Sequence, residues 1–256
     1  MKPSPTGMVL DRALTPGLLD VALRVAFESE DSPDARRLLT VALRDHVSDQ
    51  EAEGKTKKCL SRVWVQPPEA ARDMIRWAIA HRHFDPDRTV LHLGAILATF
   101  PFAGVVAAIV GRQLHLENGV EPRAVRAEAR TALGDRSTVD VGARKVVTSM
   151  RYLGLLDGPN GQPLLLGRQP VVPAELTGWM MHALLLTRQA ESIGIDDLSR
   201  SPELATVKVA GSRTSSYPLL EFHAENSRTV AVARFVSPSL SVTPRVDNGR
   251  VTQEAR

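Results

Sequence analysis

The residues whose spacing carries the most chemistry are Arg144, Thr148 and Arg151, which recur at four and three with Lys145 beside them. On a helix that spacing gathers the side chains on one face. A guanidinium is a planar fork, able to hold a phosphate or the edge of a guanine through two parallel hydrogen bonds. Ser137, Thr138 and Asp140 come just before, at the end of a helix that usually approaches base edges. A second basic group, Lys55, Lys58 and Arg62 at i, i+3 and i+7, has Lys57 and Ser61 at its flanks. Half of the chain's six lysines fall between 55 and 58, and such a face grips phosphates without reading sequence. The chemistry in view is the binding of a polyanion. Its competitor is a solvated basic face on a core helix, or cations meeting the macrodipole at a helix C-terminus.

Other chemistries lack their partners. His81 and His83 flank Arg82 without a third ligand at a metal-binding spacing, and His115 with Glu117 does not make the H-E-x-x-H arrangement. The chain contains no G-x-S-x-G elbow, no Walker A motif and no G-x-G-x-x-G fingerprint. Cys59, beside Lys57, Lys58 and Arg62, invites a lowered thiol pKa, although a small buried hydrophobe is the simpler role. Trp64, Trp77 and Trp179 fall on apolar helical faces and are expected in the core. The expectation is a protein that catalyses nothing and needs neither metal nor cofactor.

The elements that would position the basic residues read as a winged helix-turn-helix between Glu121 and Gly167. A helical run from Glu121 to Leu133 is stopped by Gly134, which takes a left-handed conformation without a Cβ penalty. A turn, Asp135-Arg136-Ser137-Thr138, leads to a second helix over Asp140–Leu153 with Val139, Val146, Met150 and Leu153 inward. Asp157-Gly158-Pro159-Asn160-Gly161-Gln162-Pro163 is then a cluster of turn formers between two apolar runs, the outline of a hairpin wing. Helix, turn, helix and hairpin is the order of a DNA-reading winged helix, which elsewhere also serves as a protein-docking module.

Before residue 120 the pattern predicts helices throughout. The first starts at Thr15-Pro16-Gly17 with Leu18, Leu19, Ala22, Val25 and Ala26 inward, and the second at Asp31-Ser32-Pro33 with Leu38, Leu39, Ala42, Leu43 and Val47 inward. A third spans Ser48–Val65, and a fourth Glu69–Arg82 carries Met74, Ile75, Ala78 and Ile79 inward. Leu93 to Val110 is uncharged over 18 residues, at the lower limit of a membrane span, but Pro101 divides it into two expected buried helices. After the wing come an extended Val171-Val172, a helix over Ala174–Glu191 burying Leu176, Met180, Ala183 and Leu184, and short turns over Ile195–Leu204. Gly211 to Ser216 reads as a polar loop, and a hairpin pairs Leu219–His223 with Thr229–Phe235 across Glu225-Asn226-Ser227.

The fold class is thus mainly α: a helical N-terminal domain over 1–118, a winged helix-turn-helix over 119–172 and a helix-plus-hairpin domain over 173–236, which could be a second, degenerate winged helix. Residues 237–256, polar and without periodicity, read as a disordered tail, and the first ten as a loose start. A net charge of +3 with pI 9.3 is compatible with a polyanionic partner without demanding one. The excess of arginine over lysine also follows from a GC-rich coding sequence. One cysteine excludes an internal disulfide framework, and Met1 to Gly7 lacks the apolar core of a secretory signal, so the expected compartment is the cytoplasm.

The order of elements resembles a family. It is carried by Leu14-Thr15-Pro16-Gly17-Leu18-Leu19, the basic helix Lys55-Thr56-Lys57-Lys58-Cys59-Leu60-Ser61-Arg62, the apolar Leu91–Val110 pair, Ser137-Thr138, Lys145 and Met150-Arg151-Tyr152-Leu153-Gly154-Leu155-Leu156. Over most of residues 10 to 236 the chain resembles the BrxA-type small proteins of BREX bacteriophage-defence islands. The resemblance implies a small, mostly helical, non-enzymatic protein that binds double-stranded DNA beside other defence-system proteins, without membrane insertion. On that reading Arg144, Lys145, Thr148 and Arg151, with Ser137 and Thr138, would border the major groove, and Lys55, Lys57, Lys58 and Arg62 would add phosphate contacts. A scaffold subunit that docks protein partners without touching DNA, and a winged-helix transcriptional regulator, are the alternatives. The oligomeric state is not legible.

Overall fold

Pro16 enters the first helix where its missing N–H costs nothing, and α1 (Pro16–Ser29) buries Leu19, Ala22, Val25 and Ala26. These elements belong to a computed structural model that describes residues 8–29, 32–47, 50–159, 162–209, 217–225 and 228–234. The expected polar loop at 211–216, the hairpin tip at 226–227, the middle of the wing at 160–161 and the tail at 237–256 lie outside the described residues.

Helix α2 (Ala35–Leu43) buries Leu39 and Leu43, whereas Leu38, expected inward, is exposed. The third helix was expected to be continuous to Val65. Instead α3 (Gln50–Leu60) loosens into a π turn over Ser61–Val65, where the Gln66 amide donates to the Ser61 carbonyl at 2.6 Å. Neighbouring Val63 and Trp64 are both buried there. After a 3₁₀ turn, α4 (Arg72–Ala80) turns Met74, Ile75 and Ala78 inward. Trp77 is only partly buried, stacked against His81 with ring centroids 4.2 Å apart.

The uncharged run forms α5 (Thr89–Thr99) and α6 (Pro101–Glu117), bent by 119° across Phe100 with Pro101 in the first turn of α6. Among the described residues no single helix is long and apolar enough to cross a membrane. All eleven residues of α5 are buried, which explains its lack of polar periodicity. Helix α7 (Pro122–Leu133) is capped by Glu121, whose carboxylate accepts the Arg123 amide at 3.2 Å. It ends at Gly134, whose φ of 98° favours glycine. Helix α8 (Ser137–Tyr152) then begins three residues earlier than expected, because Arg136 is extended and the chain re-enters the helix at once.

Short strands follow. β1 (Leu156–Asp157) pairs antiparallel with β2 (Leu165–Leu166), and Leu164 exchanges both backbone hydrogen bonds with Val120, at 2.7 and 2.8 Å. Alternate residues of a strand turn their backbone groups to opposite edges, so β2 lies between Val120 and β1. β3 (Val171–Val172) pairs in parallel with β5 (Lys208–Val209). Helix α9 (Thr177–Arg188) precedes β4 (Ser192–Gly194), 3₁₀ turns at Ile195–Asp197 and Pro202–Leu204, then β6 (Leu220–Glu225) and β7 (Arg228–Ala233). The C-terminal sheet is antiparallel in the order β4-β7-β6, with β4 a third strand beside the expected hairpin. The protein is mainly helical, with its small sheets towards the C-terminal end.

Candidate nucleic-acid interface

Helix α8 is divided into three faces by what packs on it. Val139, Ala143, Val146, Val147 and Met150 are buried in the core. Buried Ser149 accepts the Leu14 amide on its hydroxyl at 2.9 Å, so the segment leading into α1 lies along a second flank. The third face is open and carries Ser137, Val141, Arg144, Thr148 and Tyr152, with half-buried Lys145 at its edge. Val141 and Tyr152, 37% and 52% exposed, were not singled out from the sequence. The signal was present, since 137, 141, 144, 148 and 152 form one helical row.

Within that row the arginines differ. The Arg144 guanidinium makes no hydrogen bond or ion pair among the described residues. Thr148 donates its hydroxyl to the Arg144 carbonyl at 2.8 Å, leaving it an acceptor towards solvent. Arg151 is half-buried and donates to the Gly158 carbonyl at 2.5 Å, bracing the β1–β2 loop against α8. Asp140, placed near base edges by the sequence, faces α7 instead. Its two oxygens accept Arg126 at 3.1 Å and Arg130 at 3.2 Å.

On α3, Lys55 and Lys58 are exposed and Lys57 is half-buried. Arg62 departs from the expected shared face. It sits in the π turn, donates Nε to the Thr99 carbonyl at 2.8 Å and lies over the Phe100 ring at 5.3 Å. Burial pushes its pKa below the usual arginine value. Arg62 therefore braces the α5–α6 bend, where a free carbonyl at a helix end needs a donor. Lys58 instead meets Ser137, Thr138 and Val141 of α8 around one cleft of about 580 Å³, which Asp11 and Cys59 also line. Two groups far apart in the sequence thus share a surface.

The remaining candidates are occupied structurally. The buried Cys59 thiol donates to Asp11 Oδ1 at 3.1 Å, and burial together with that carboxylate pushes its pKa up to about 12. The neighbouring lysines do not overcome this. His81 stacks on Trp77, and His83 packs on Phe84 with ring centroids 4.3 Å apart. Among the described residues no three His, Cys, Asp or Glu side chains gather where they would hold an ion. Compared with protein-family models, with curated proteins and with solved structures, the chain finds no match. Its class therefore rests on its own architecture, a mainly helical protein with an open basic row on α8.

Proposed function

We propose that α6 to β2 form a winged helix-turn-helix, and that the protein is a non-enzymatic double-stranded-DNA-binding accessory of a BREX-like phage-defence system. It would position a larger complex of defence proteins on DNA with weak sequence preference. The observation that carries the reading is the open α8 row, with Arg144, uncommitted among the described residues, at its centre and Lys58 beside its N-terminus. Arginine there suits phosphate or guanine, and Val141 suits a thymine methyl.

The order of elements supports it. A winged helix strings helix, strand, two helices and two strands so that the last strand lies between the other two. Here α6, Val120, α7, α8, β1 and β2 follow that order, with β2 between Val120 and β1. The C-terminal part resembles it: α9, β4, two 3₁₀ turns, β6 and β7, with β7 central, and with β5, which pairs with β3, interposed before β6. A second, degenerate copy, its two inner helices shortened to single turns, accounts for that resemblance.

The test is anisotropy binding to a random-sequence duplex across salt concentration. Affinity should fall linearly in log–log form, and Arg144→Ala with Lys145→Ala should flatten that slope by about two. Unchanged affinity in a folded double variant would remove α8 as the contacting face. A docking scaffold without DNA contact is the second reading, favoured by Leu165 and Leu166 lying exposed on β2. No binding at low salt would select it.

A further inference from the structure

Beside the open row of α8 lies a cleft of about 370 Å³. Its walls are the N-terminal part of α7, residues Arg144 to Arg151 of α8, and Pro159 and Leu164 beyond β1. Four arginines, Arg123, Arg126, Arg144 and Arg151, are among the residues that line it. Arg126 is held by Asp140 and Arg151 by the Gly158 carbonyl, so two are fixed in place without a ligand. The side chains of Arg123 and Arg144 make no hydrogen bond or ion pair among the described residues. The floor is apolar, made of Val147, Pro159 and Leu164. The one carboxylate in the lining, Glu121, is turned onto the Arg123 amide as the cap of α7.

Asp140 offsets the charge of Arg126, but the other like charges around the concavity repel, and an anion between them relieves that repulsion. An internal phosphodiester carries a single charge and needs no apolar floor. A terminal phosphate monoester carries close to two charges near neutral pH and offers three acceptor oxygens to paired guanidinium forks. The sugar or base attached to it would cover Val147, Pro159 and Leu164. Charge, volume and floor together match one nucleotide.

We propose that this cleft seats a nucleotide bearing a terminal phosphate monoester, either the 5′ end of a DNA strand or a free mononucleotide. The strand-end source rests on the DNA-binding reading; the chemistry of the cleft is the same for both. The experiment uses the full chain and two labelled blunt duplexes of identical sequence, one 5′-phosphorylated and one 5′-hydroxyl, with deoxyadenosine monophosphate titrated calorimetrically. If a strand end is the ligand, the phosphorylated duplex should bind about tenfold tighter or more, the effect of at least one hydrogen bond to a charged group. Arg123→Ala, at an exposed side chain without bonds among the described residues, should abolish that preference, with circular dichroism checking the fold. Arg123→Lys, keeping the charge but losing the fork, should fall between. If a free nucleotide is the ligand, the monophosphate should bind directly and lose its affinity in Arg123→Ala. Equal duplex affinities together with no monophosphate binding would overturn the proposal and leave the DNA-binding reading standing. So would a phosphate preference that survives in Arg123→Ala. If neither duplex binds, the DNA-binding reading falls, and the monophosphate titration alone decides the cleft.

Discussion

Asp140 shows how a side chain changes meaning once its neighbours are known. In the sequence it sits among polar residues at the start of a basic helix; in the structure it ties Arg126 and Arg130 of α7 to α8. Arg62 changes in the same way, from a phosphate ligand to a brace. His182 has a consequence that can be measured. It is buried on α9 with Nδ1 3.1 Å from the Tyr217 hydroxyl, and burial pushes its pKa from 6.5 down to about 4. Between those values the unfolded chain binds the extra proton, so the stability His182 contributes is complete above pH 6.5 and lost as pH falls towards 4. Buried His92 acts in the same direction. Asp85, pushed up to about 6 by burial, acts in the opposite one, because the folded chain takes up its proton first. The windows overlap, so a variant is needed to separate them. His182→Gln should lose less stability between about pH 7 and 5 than the unsubstituted chain, by urea denaturation at each pH. Parallel curves would remove His182 as a source of acid sensitivity.

At the scale of elements, the long helices were legible because their apolar residues recur with the helical period. The Phe100-Pro101 break and the Glu121 and Gly134 ends of α7 were legible because those residues have specific backbone roles. Strands of two or three residues, such as β4 and β5, are too short for any periodicity, and only their partners define them; Val171-Val172 of β3 was legible as extended only because prolines bracket it. The π turn after α3 is likewise invisible without the core that receives Val63 and Trp64. Packing between elements makes its own prediction at Gly111 of α6. A methyl group there would overlap the Pro202 carbonyl oxygen of the 3₁₀ turn at Pro202–Leu204. Alanine favours a helix over glycine by about 1 kcal/mol, but overpacking costs about 1–3 kcal/mol, and the obstacle is backbone that cannot rotate away. Gly111→Ala should therefore lower the urea midpoint. A higher midpoint would show that α6 and that turn are not held together.

At the scale of the molecule, one hydrophobic core runs from Leu10 to Ala231, across both divisions drawn from the sequence. Helix α6 packs on α7 and α8, although the expected boundary at 118 separates it from them. Helix α9 locks onto α5: Trp179 stands over Gly94, and Thr187 donates to the Leu97 carbonyl at 2.7 Å. Arg188 then holds Glu203 and Ser201, tying the C-terminal turns to the same core. A fragment of residues 119–172 would lack α6, on which α7 and α8 pack. It should be unfolded, with a collapsed range of amide proton shifts. A dispersed spectrum would show that the basic segment folds independently.

What the sequence determined by itself was local: helix periods, caps, breaks, and the clustering of basic residues at 55–58 and 144–151. These follow from interactions within a few residues, so they are written in the order of side chains. Only the tertiary structure decided which basic residues are open, because that depends on carbonyls and carboxylates contributed by distant segments. Thr99 takes Arg62, Asp140 takes Arg126, and Arg144 is left uncommitted among the described residues. The meeting of Lys58 with the start of α8, and of Arg123 with Arg144 around one cleft, is likewise a property of packed helices. A chain brings such residues together only when burial of its apolar faces fixes where each helix lies.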